Sequence, residues 1–124
     1  MENNIEVNLN SLEKVQLICK YLSSKKAKGI VYIAVEHKTS LCDYFVVAGG
    51  SSKTQVKSLG ENLEELLEKQ HGLIPRRREG IREGRWAVLD YSDVIVHIFG
   101  DEERDFYNLE RLWEDGENLV RYED

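Results

Sequence analysis

Residues 43–52 read Asp-Tyr-Phe-Val-Val-Ala-Gly-Gly-Ser-Ser, and this stretch decides the fold class. The apolar run over residues 43–48 predicts a β-strand. The two glycines and two serines predict a turn, and Ser52 followed by Gln55 has the spacing of a helix capping box. Apolar residues at helical spacing follow, and they are Val56, Leu59, Leu63, Leu66 and Leu67. A strand that turns directly into an amphipathic helix favours an α/β domain.

A second helix and a second strand are predicted on the N-terminal side. Residues 30–35 form a continuous apolar run, which is typical of a strand buried on both faces. Before it, Asn10 and Glu13 have capping-box spacing, and Gly29 is the predicted end of the helix. The helix over residues 12–22 has an apolar stripe of Leu12, Val15, Ile18, Cys19 and Leu22.

Further strands are predicted on the C-terminal side. The helix after Ser52 ends at Gly72, and Pro75 prevents it from resuming. Residues 74–79 are basic and predict an edge strand, because charge on an edge discourages pairing with other chains. Residues 86–90 and 94–99 predict two strands joined by a tight hairpin.

A last helix completes the predicted domain. Asp101 is its predicted cap and Gly116 its end, with Phe106, Leu109, Leu112 and Trp113 on one face. We therefore predict a single compact α/β domain over residues 1–116, with a mixed sheet of about five strands and helices packed on it. Residues 117–124 are predicted to be an acidic C-terminal tail.

The charge distribution excludes some partners. The chain has 124 residues, which fits one domain, and 17 Lys and Arg against 23 Asp and Glu give a net charge of −6. Residues 101–124 hold ten acids and three bases, whereas residues 76–85 hold five arginines and two glutamates. A net negative charge disfavours binding to DNA through phosphate neutralisation. An acidic end favours a basic protein partner.

Cysteine and targeting signals give only weak information. Cys19 and Cys42 lie in separate apolar runs without zinc-ligand spacing, so we expect small buried side chains in a reducing compartment. The acidic N-terminal segment 1–6 does not resemble a signal peptide, and no apolar stretch approaches the ~20 residues of a membrane span. We therefore expect a cytoplasmic protein with no membrane contact.

The turn over residues 49–52 is a candidate phosphate site. A glycine turn before a helix can hold phosphate, and a Gly-Ser turn also opens nucleotidyltransferase sites. Here the P-loop lysine is absent, and the nearest glutamates (Glu61, Glu64 and Glu65) fall on a helix rather than alternating on a strand. A helix cap is the favoured interpretation, so we expect no catalytic residue, cofactor or metal. A nucleotide-binding or nucleotidyltransferase-like enzyme remains an alternative.

The hairpin strands combine aromatic and acidic residues. Alternation places Trp86, Val88 and Asp90 on one face of the sheet, and Ala87, Leu89 and Tyr91 on the other. His97, on the face of Ile95 and Phe99, is interpreted as a satisfied core or half-buried histidine. The two aspartates that flank the turn, Asp90 and Asp93, are favoured turn residues. Arginines interleaved with Trp86 and Tyr91 could bind RNA through residues 76–85, but the mixed charge favours a protein-binding hot spot.

Several blocks together resemble one family. Residues 80–86 read Gly-Ile-Arg-Glu-Gly-Arg-Trp, and residues 89–99 read Leu-Asp-Tyr-Ser-Asp-Val-Ile-Val-His-Ile-Phe. With residues 43–47, 52–57 and 104–113, they resemble the ribosomal silencing factor family, RsfS, also called Iojap. The resemblance runs in order from about residue 10 to residue 115. The family commonly has Gly where this chain has Ser92, which would be strained if that position needs a positive φ.

The resemblance implies a nucleotidyltransferase-like α/β fold without the catalytic carboxylates, and a function that is not enzymatic. Family members bind the large ribosomal subunit through ribosomal protein L-fourteen and block joining of the small subunit, which represses translation in starvation. Organelle relatives act in ribosome assembly, so a role as a large-subunit assembly factor is an alternative. Free members tend to be homodimers.

The resemblance also suggests where the partner binds. Trp86 is the expected anchor, and Asp90 and Asp93 are expected to pair with basic partner residues. The last helix is expected to border this site or to close the dimer. The candidate partner-binding residues are Arg85, Trp86, Asp90, Tyr91, Asp93, Tyr107, Glu110 and Trp113.

Overall fold

The computed structural model describes residues 9–123, so the predicted segment 1–6 lies outside the described residues. These residues form one mixed sheet of six strands with helices on it, where about five strands were predicted. The strand order is β3-β4-β5-β2-β1-β6; β2 and β5 are parallel, and the other neighbours are antiparallel. The elements are α1 (Ser11–Ser24), β1 (Lys28–Ala34), β2 (Tyr44–Gly50), α2 (Lys53–His71), β3 (Arg77–Glu79), β4 (Trp86–Asp90), β5 (Val94–Gly100), α3 (Asp101–Tyr107), α4 (Leu109–Trp113) and β6 (Leu119–Arg121).

Helices α1 and α2 cover one face of the sheet and enclose the larger core. The predicted Asn10–Glu13 capping box is present, but Leu12 at the start of the predicted stripe is 44% exposed. The predicted helix end at Gly29 is wrong. Helix α1 ends at Ser24 because Lys26 adopts a left-handed backbone with φ of 68°, which lets Gly29 join β1.

The start of α2 differs in one hydrogen bond from the predicted capping box. Ser52 Oγ accepts a hydrogen bond from the backbone N–H of Gln55, as expected. The side-chain oxygen of Gln55 instead accepts from the backbone N–H of Ser51 at 2.6 Å. Gly72 ends the helix in the left-handed conformation, as predicted. Each serine therefore has a structural role at the helix start.

The predicted single C-terminal helix is wrong. Asn108, with φ of 46°, separates α3 from α4, and the N-cap is Gly100 rather than Asp101. Asn tolerates this left-handed conformation better than most residues do. The break removes the common apolar face, because Phe106 is 80% and Leu112 is 71% exposed. Leu109 and Trp113 pack against the second core cluster, on the sheet face that α1 and α2 leave free.

Strand β6 lies inside the segment predicted to be an acidic tail. It pairs antiparallel with β1, whose outer edge it covers. The Asn118 side chain donates hydrogen bonds to the carbonyls of Ala34 and Trp113, at 2.8 and 3.0 Å. Residues 119–121 are therefore part of the sheet.

The hairpin turn between β4 and β5 contains a strained serine. Ser92 has φ of 80°, and its backbone N–H donates a hydrogen bond to the Asp90 carboxylate at 2.8 Å. A left-handed conformation costs an L-residue about 1–2 kcal/mol, and glycine adopts it at a smaller entropic cost. The Ser92→Gly variant is therefore expected to be more stable by about 0.5–1 kcal/mol. Urea unfolding measures this difference, and a less stable variant would contradict the account.

Candidate partner-binding surface

A half-exposed aromatic surface lies on the sheet face opposite α1 and α2. We define the aromatic surface as Trp86 and Val88 of β4, Ile95 of β5 and Tyr107 of α3, of which Tyr107 is 46% exposed. The Trp86 ring contacts the rings of Phe99 and Tyr107, with centroids 4.9 and 4.7 Å away, and the centroids of those two rings lie 6.5 Å from each other. Short helices α3 and α4 cover only part of this face and contain no buried residue. Apolar side chains therefore remain accessible there.

The backbone at Gly80 packs closely against the start of β4, and only glycine fits there. It has φ of 73°, and a Cβ atom there would lie 1.9 Å from the carbonyl oxygen of Trp86. A side chain at residue 80 would displace the backbone that carries the tryptophan. The sequence block 80–86 thus fixes how β4 enters the sheet.

His97 lies beneath the aromatic surface, so its predicted place in or near the core is correct, but the prediction that its hydrogen bonds are all satisfied is wrong for Nε2. It is 8% exposed, and its Nδ1 accepts a hydrogen bond from the indole Nε1–H of Trp86 at 3.1 Å. The proton of the neutral ring is therefore on Nε2, which has no hydrogen-bond partner among the described residues. Burial lowers the pKa of His97 to about 4, and the nearby Asp90 charge opposes this only in part.

The buried histidine predicts a pH dependence of stability. The unfolded chain takes up a proton near the ordinary pKa of 6.5, whereas folded His97 does so only near 4. The free energy of unfolding therefore does not change through His97 above pH 6.5. It falls by about 3 kcal/mol as the pH is lowered from 6.5 towards 4, because the unfolded chain then binds a proton that folded His97 does not. Urea unfolding between pH 7 and 4.5 measures this slope. The His97→Asn variant should have a shallower slope; an equal slope would contradict the assignment.

Asp90 and Asp93 are used within the chain rather than left free for a partner. Asp90 is 6% exposed; its carboxylate accepts from Ser92 and from the Arg76 guanidinium at 3.2 Å. Asp93 pairs with Lys14 at 2.9 Å and accepts from Ser11. Burial raises the pKa of Asp93, but the hydrogen bonds from Ser11 and Lys14 outweigh it and hold the pKa below its usual range. Both carboxylates thus fix the ends of the hairpin turn.

Tyr91 does not join the aromatic surface. It packs in the core under α1 and α2, on the opposite side of the sheet from Trp86. Its side chain is 6% exposed, and burial raises the pKa of its hydroxyl far above the ordinary value. The alternation of β4 already placed Tyr91 with Ala87 and Leu89. Its inclusion among residues that touch a partner is inconsistent with this burial.

The other candidate residues lie around the aromatic surface. Arg85 is exposed and directly precedes Trp86, and Trp113 packs edge-to-face on Phe45 with centroids 5.2 Å apart. Glu110 accepts from Arg104 at 2.8 Å. Arg104 also donates to the carbonyl of Gly29 at 2.6 Å. Glu110 therefore secures α3 and α4 against the start of β1.

Sequence reasoning missed the roles of Arg104 and Phe106. Phe106 was expected on a buried helix face, but its exposed ring meets Tyr107 edge-to-face at 5.0 Å. Arg104 had no sequence signal other than its position in the block 104–113 that resembles the family. Its partners at Lys28 and Gly29 are backbone carbonyls, which every residue has, so no side-chain pattern indicates them. Only the folded chain brings these groups together.

Within residues 9–123, no cluster of three or more His, Cys, Asp or Glu side chains could hold a metal ion. No helix in the same range is long and apolar enough to cross a membrane.

Comparison with known proteins decides the family. The family model described as "Ribosomal silencing factor during starvation", RsfS, matches residues 8–124. The chain belongs to the RsfS family. The ribosomal silencing factor of Halalkalibacterium halodurans is 34% identical over 107 residues, which cover 86% of this chain and 91% of that protein. The chloroplastic protein Iojap of Arabidopsis thaliana is 28% identical over 109 residues, 88% of this chain and 45% of that protein. The predicted family is thus confirmed.

Solved structures agree with the fold. A crystal structure of a Chromobacterium violaceum protein has a TM-score of 0.81 and 30% identity, and covers 89% of this chain and 92% of that one. A Bacillus halodurans crystal structure has a TM-score of 0.77 and 32% identity, with 90% and 100% covered. The predicted single α/β domain with a mixed sheet is confirmed. The RsfS relatives carry the name of a regulatory factor rather than that of an enzyme.

Proposed function

We propose that this protein silences translation by binding the large ribosomal subunit through ribosomal protein L-fourteen and blocking the small subunit. The observation that carries the proposal is the aromatic surface, where α3 and α4 cover only part of the sheet face and leave Trp86 partly exposed beside the half-exposed Tyr107. Trp, Tyr and Arg dominate the binding energy of protein interfaces, and Arg85 borders this surface. The relatives are named ribosomal silencing factors, and from that name we infer that the partner is the ribosome.

Charge supports a basic protein as the direct partner. Helix α3, which carries Tyr107, and helix α4 belong to the segment 101–124, which has ten acids and three bases. An acidic border attracts a basic partner and raises the rate of association. In this proposal Trp86 is the anchor, Tyr107 and Arg85 contact the partner, and Asp90 and Asp93 hold the hairpin that presents Trp86.

The arginine segment gives less support to direct RNA binding. Three of its arginines have carboxylate partners: Arg76 with Asp90 at 3.2 Å, Arg77 with Glu79 at 3.9 Å, and Arg78 with Glu64 at 2.9 Å. Cations that are already paired release fewer counterions from phosphates. We propose a non-enzymatic factor that acts in the cytoplasm, where it obstructs the ribosome by its bulk.

Co-sedimentation with purified subunits tests the proposal. The protein should pellet with large subunits and not with small subunits, and preformed complexes of both subunits should bind little of it. Pelleting with small subunits, or with neither, would contradict the proposal. Steeply salt-dependent binding to naked ribosomal RNA would instead favour the RNA-binding alternative.

We also propose that the free protein forms a homodimer through the exposed apolar side chains of α3 and α4. Phe106 and Leu112 are 80% and 71% exposed, and a second copy would remove them from water. The Leu112→Glu variant is expected to sediment as a monomer at concentrations where the unmodified protein is a dimer. Ile74→Glu is the matched control, because Ile74 is 67% exposed and belongs to the loop between α2 and β3 rather than to these helices. An unchanged sedimentation coefficient for Leu112→Glu would contradict this dimer surface.

A further inference from the structure

The orientation of Trp86 depends on few contacts. The fully buried Phe99 contacts its ring at 4.9 Å, and the other ring contact, with Tyr107 at 4.7 Å, is made by a half-exposed side chain of a seven-residue helix. Aromatic pairs occur in more than one relative orientation, and the Trp86–Tyr107 pair is tilted at 44°. The indole also makes a directional polar contact, the 3.1 Å hydrogen bond from its Nε1–H to Nδ1 of His97.

We propose that His97 is the positioning residue that holds Trp86 in its partner-binding orientation, by accepting the indole hydrogen bond on a neutral imidazole ring. This inference rests on the proposed function, because it assigns a supporting residue to the same surface. His97 itself is buried and does not touch the partner. His97 therefore affects binding only by setting the orientation of Trp86.

The surroundings of His97 keep the ring in the required state. Phe45 of β2 meets it edge-to-face with centroids 5.1 Å apart, and Phe99 of β5 lies parallel to it at 6.2 Å. The charged group that acts on His97 is Asp90 of β4, and its effect is smaller than that of burial. A second proton would occupy Nδ1 and place two N–H groups face to face. Protonation would thus break the bond to Trp86.

Two variants separate positioning from packing. His97→Leu has similar bulk but no acceptor, whereas His97→Asn keeps an acceptor oxygen near the position of Nδ1. We expect His97→Leu to weaken binding to large subunits about 3–10-fold, as the loss of one buried hydrogen bond would. His97→Asn should recover most of that loss. The indole N–H signal of Trp86 in ¹H–¹⁵N NMR spectra, assigned with Trp86→Phe, should shift strongly in the Leu variant and less in the Asn variant.

The outcomes are distinct from those that test the proposed function. An unchanged indole signal in His97→Leu, or a shifted signal with unchanged affinity, would overturn the role of His97. Failure of Trp86→Ala to weaken binding would instead refute the surface itself. If His97→Leu does not fold, an acid titration of the unmodified protein gives the test. The Trp86 indole signal should then move with the protonation of His97, and a signal that does not follow it would overturn the proposal.

Discussion

Replacement of Trp86 by alanine is expected to weaken binding to large ribosomal subunits by at least about 30-fold, the effect of losing an interface hot spot of about 2 kcal/mol. Trp86 combines a large, partly buried ring with contacts from Phe99, Tyr107 and His97. A ring held in place before binding loses little entropy when the partner covers it. Quantitative co-sedimentation at several subunit concentrations measures the affinity.

Trp86→Ala also removes contacts inside the domain, so the stability of the variant must be measured together with its binding. We expect a loss of roughly 2 kcal/mol, which leaves the domain folded at the assay temperature. Tyr21→Ala is the matched control, since Tyr21 is a half-buried aromatic residue on the helix-covered side of the sheet. Binding by Trp86→Ala equal to that of the control would contradict its role as anchor. An unfolded Trp86→Ala would show that the ring serves mainly the core.

Replacement of Phe99 by alanine is expected to cost about 3–5 kcal/mol of folding free energy. Phe99 is completely buried in the smaller core cluster, between the sheet and the rings of Trp86 and Tyr107. Truncation to alanine leaves a cavity that the surrounding strands cannot close. Thermal unfolding should show a melting temperature lower by roughly 10–20 °C.

Phe106 provides a control of the same chemical type. Its side chain is 80% exposed, so Phe106→Ala should change the stability of the monomer by less than about 0.5 kcal/mol. Equal losses of stability for the two phenylalanines would contradict the burial of Phe99 and the exposure of Phe106. A small loss for Phe99→Ala would mean that the aromatic surface has no firm support beneath Trp86.

Local patterns predict the fold well where helices and strands carry strong local signals. The strand and glycine-serine turn of residues 43–52 lead into α2, and the hairpin of β4 and β5 follows from two apolar runs around a turn. The end of the chain is harder to predict. Asn108 breaks an otherwise regular helical pattern, and β6 has only three residues whose pairing with β1 is a tertiary contact. Neither the helix break nor the pairing of β6 has a local sequence signal strong enough to predict it.

The binding surface is only partly predictable for a similar reason. Alternation along β4 correctly separates Trp86 from Tyr91, but it cannot show which face α1 and α2 will cover. The ion pairs of Asp90 and Asp93 cannot be predicted from local sequence, because their cationic partners are distant along the chain. Lys14 is 79 positions from Asp93, and Arg76 is 14 positions from Asp90.

The rate at which ribosomal subunits associate, followed by light scattering, tests the central claim most directly. Large subunits are first saturated with the protein and then mixed with small subunits. We expect a strongly reduced association signal with the unmodified protein, and a normal signal with Trp86→Ala at the same concentration. Normal association by large subunits that demonstrably carry the unmodified protein would contradict the claim that this protein blocks subunit joining.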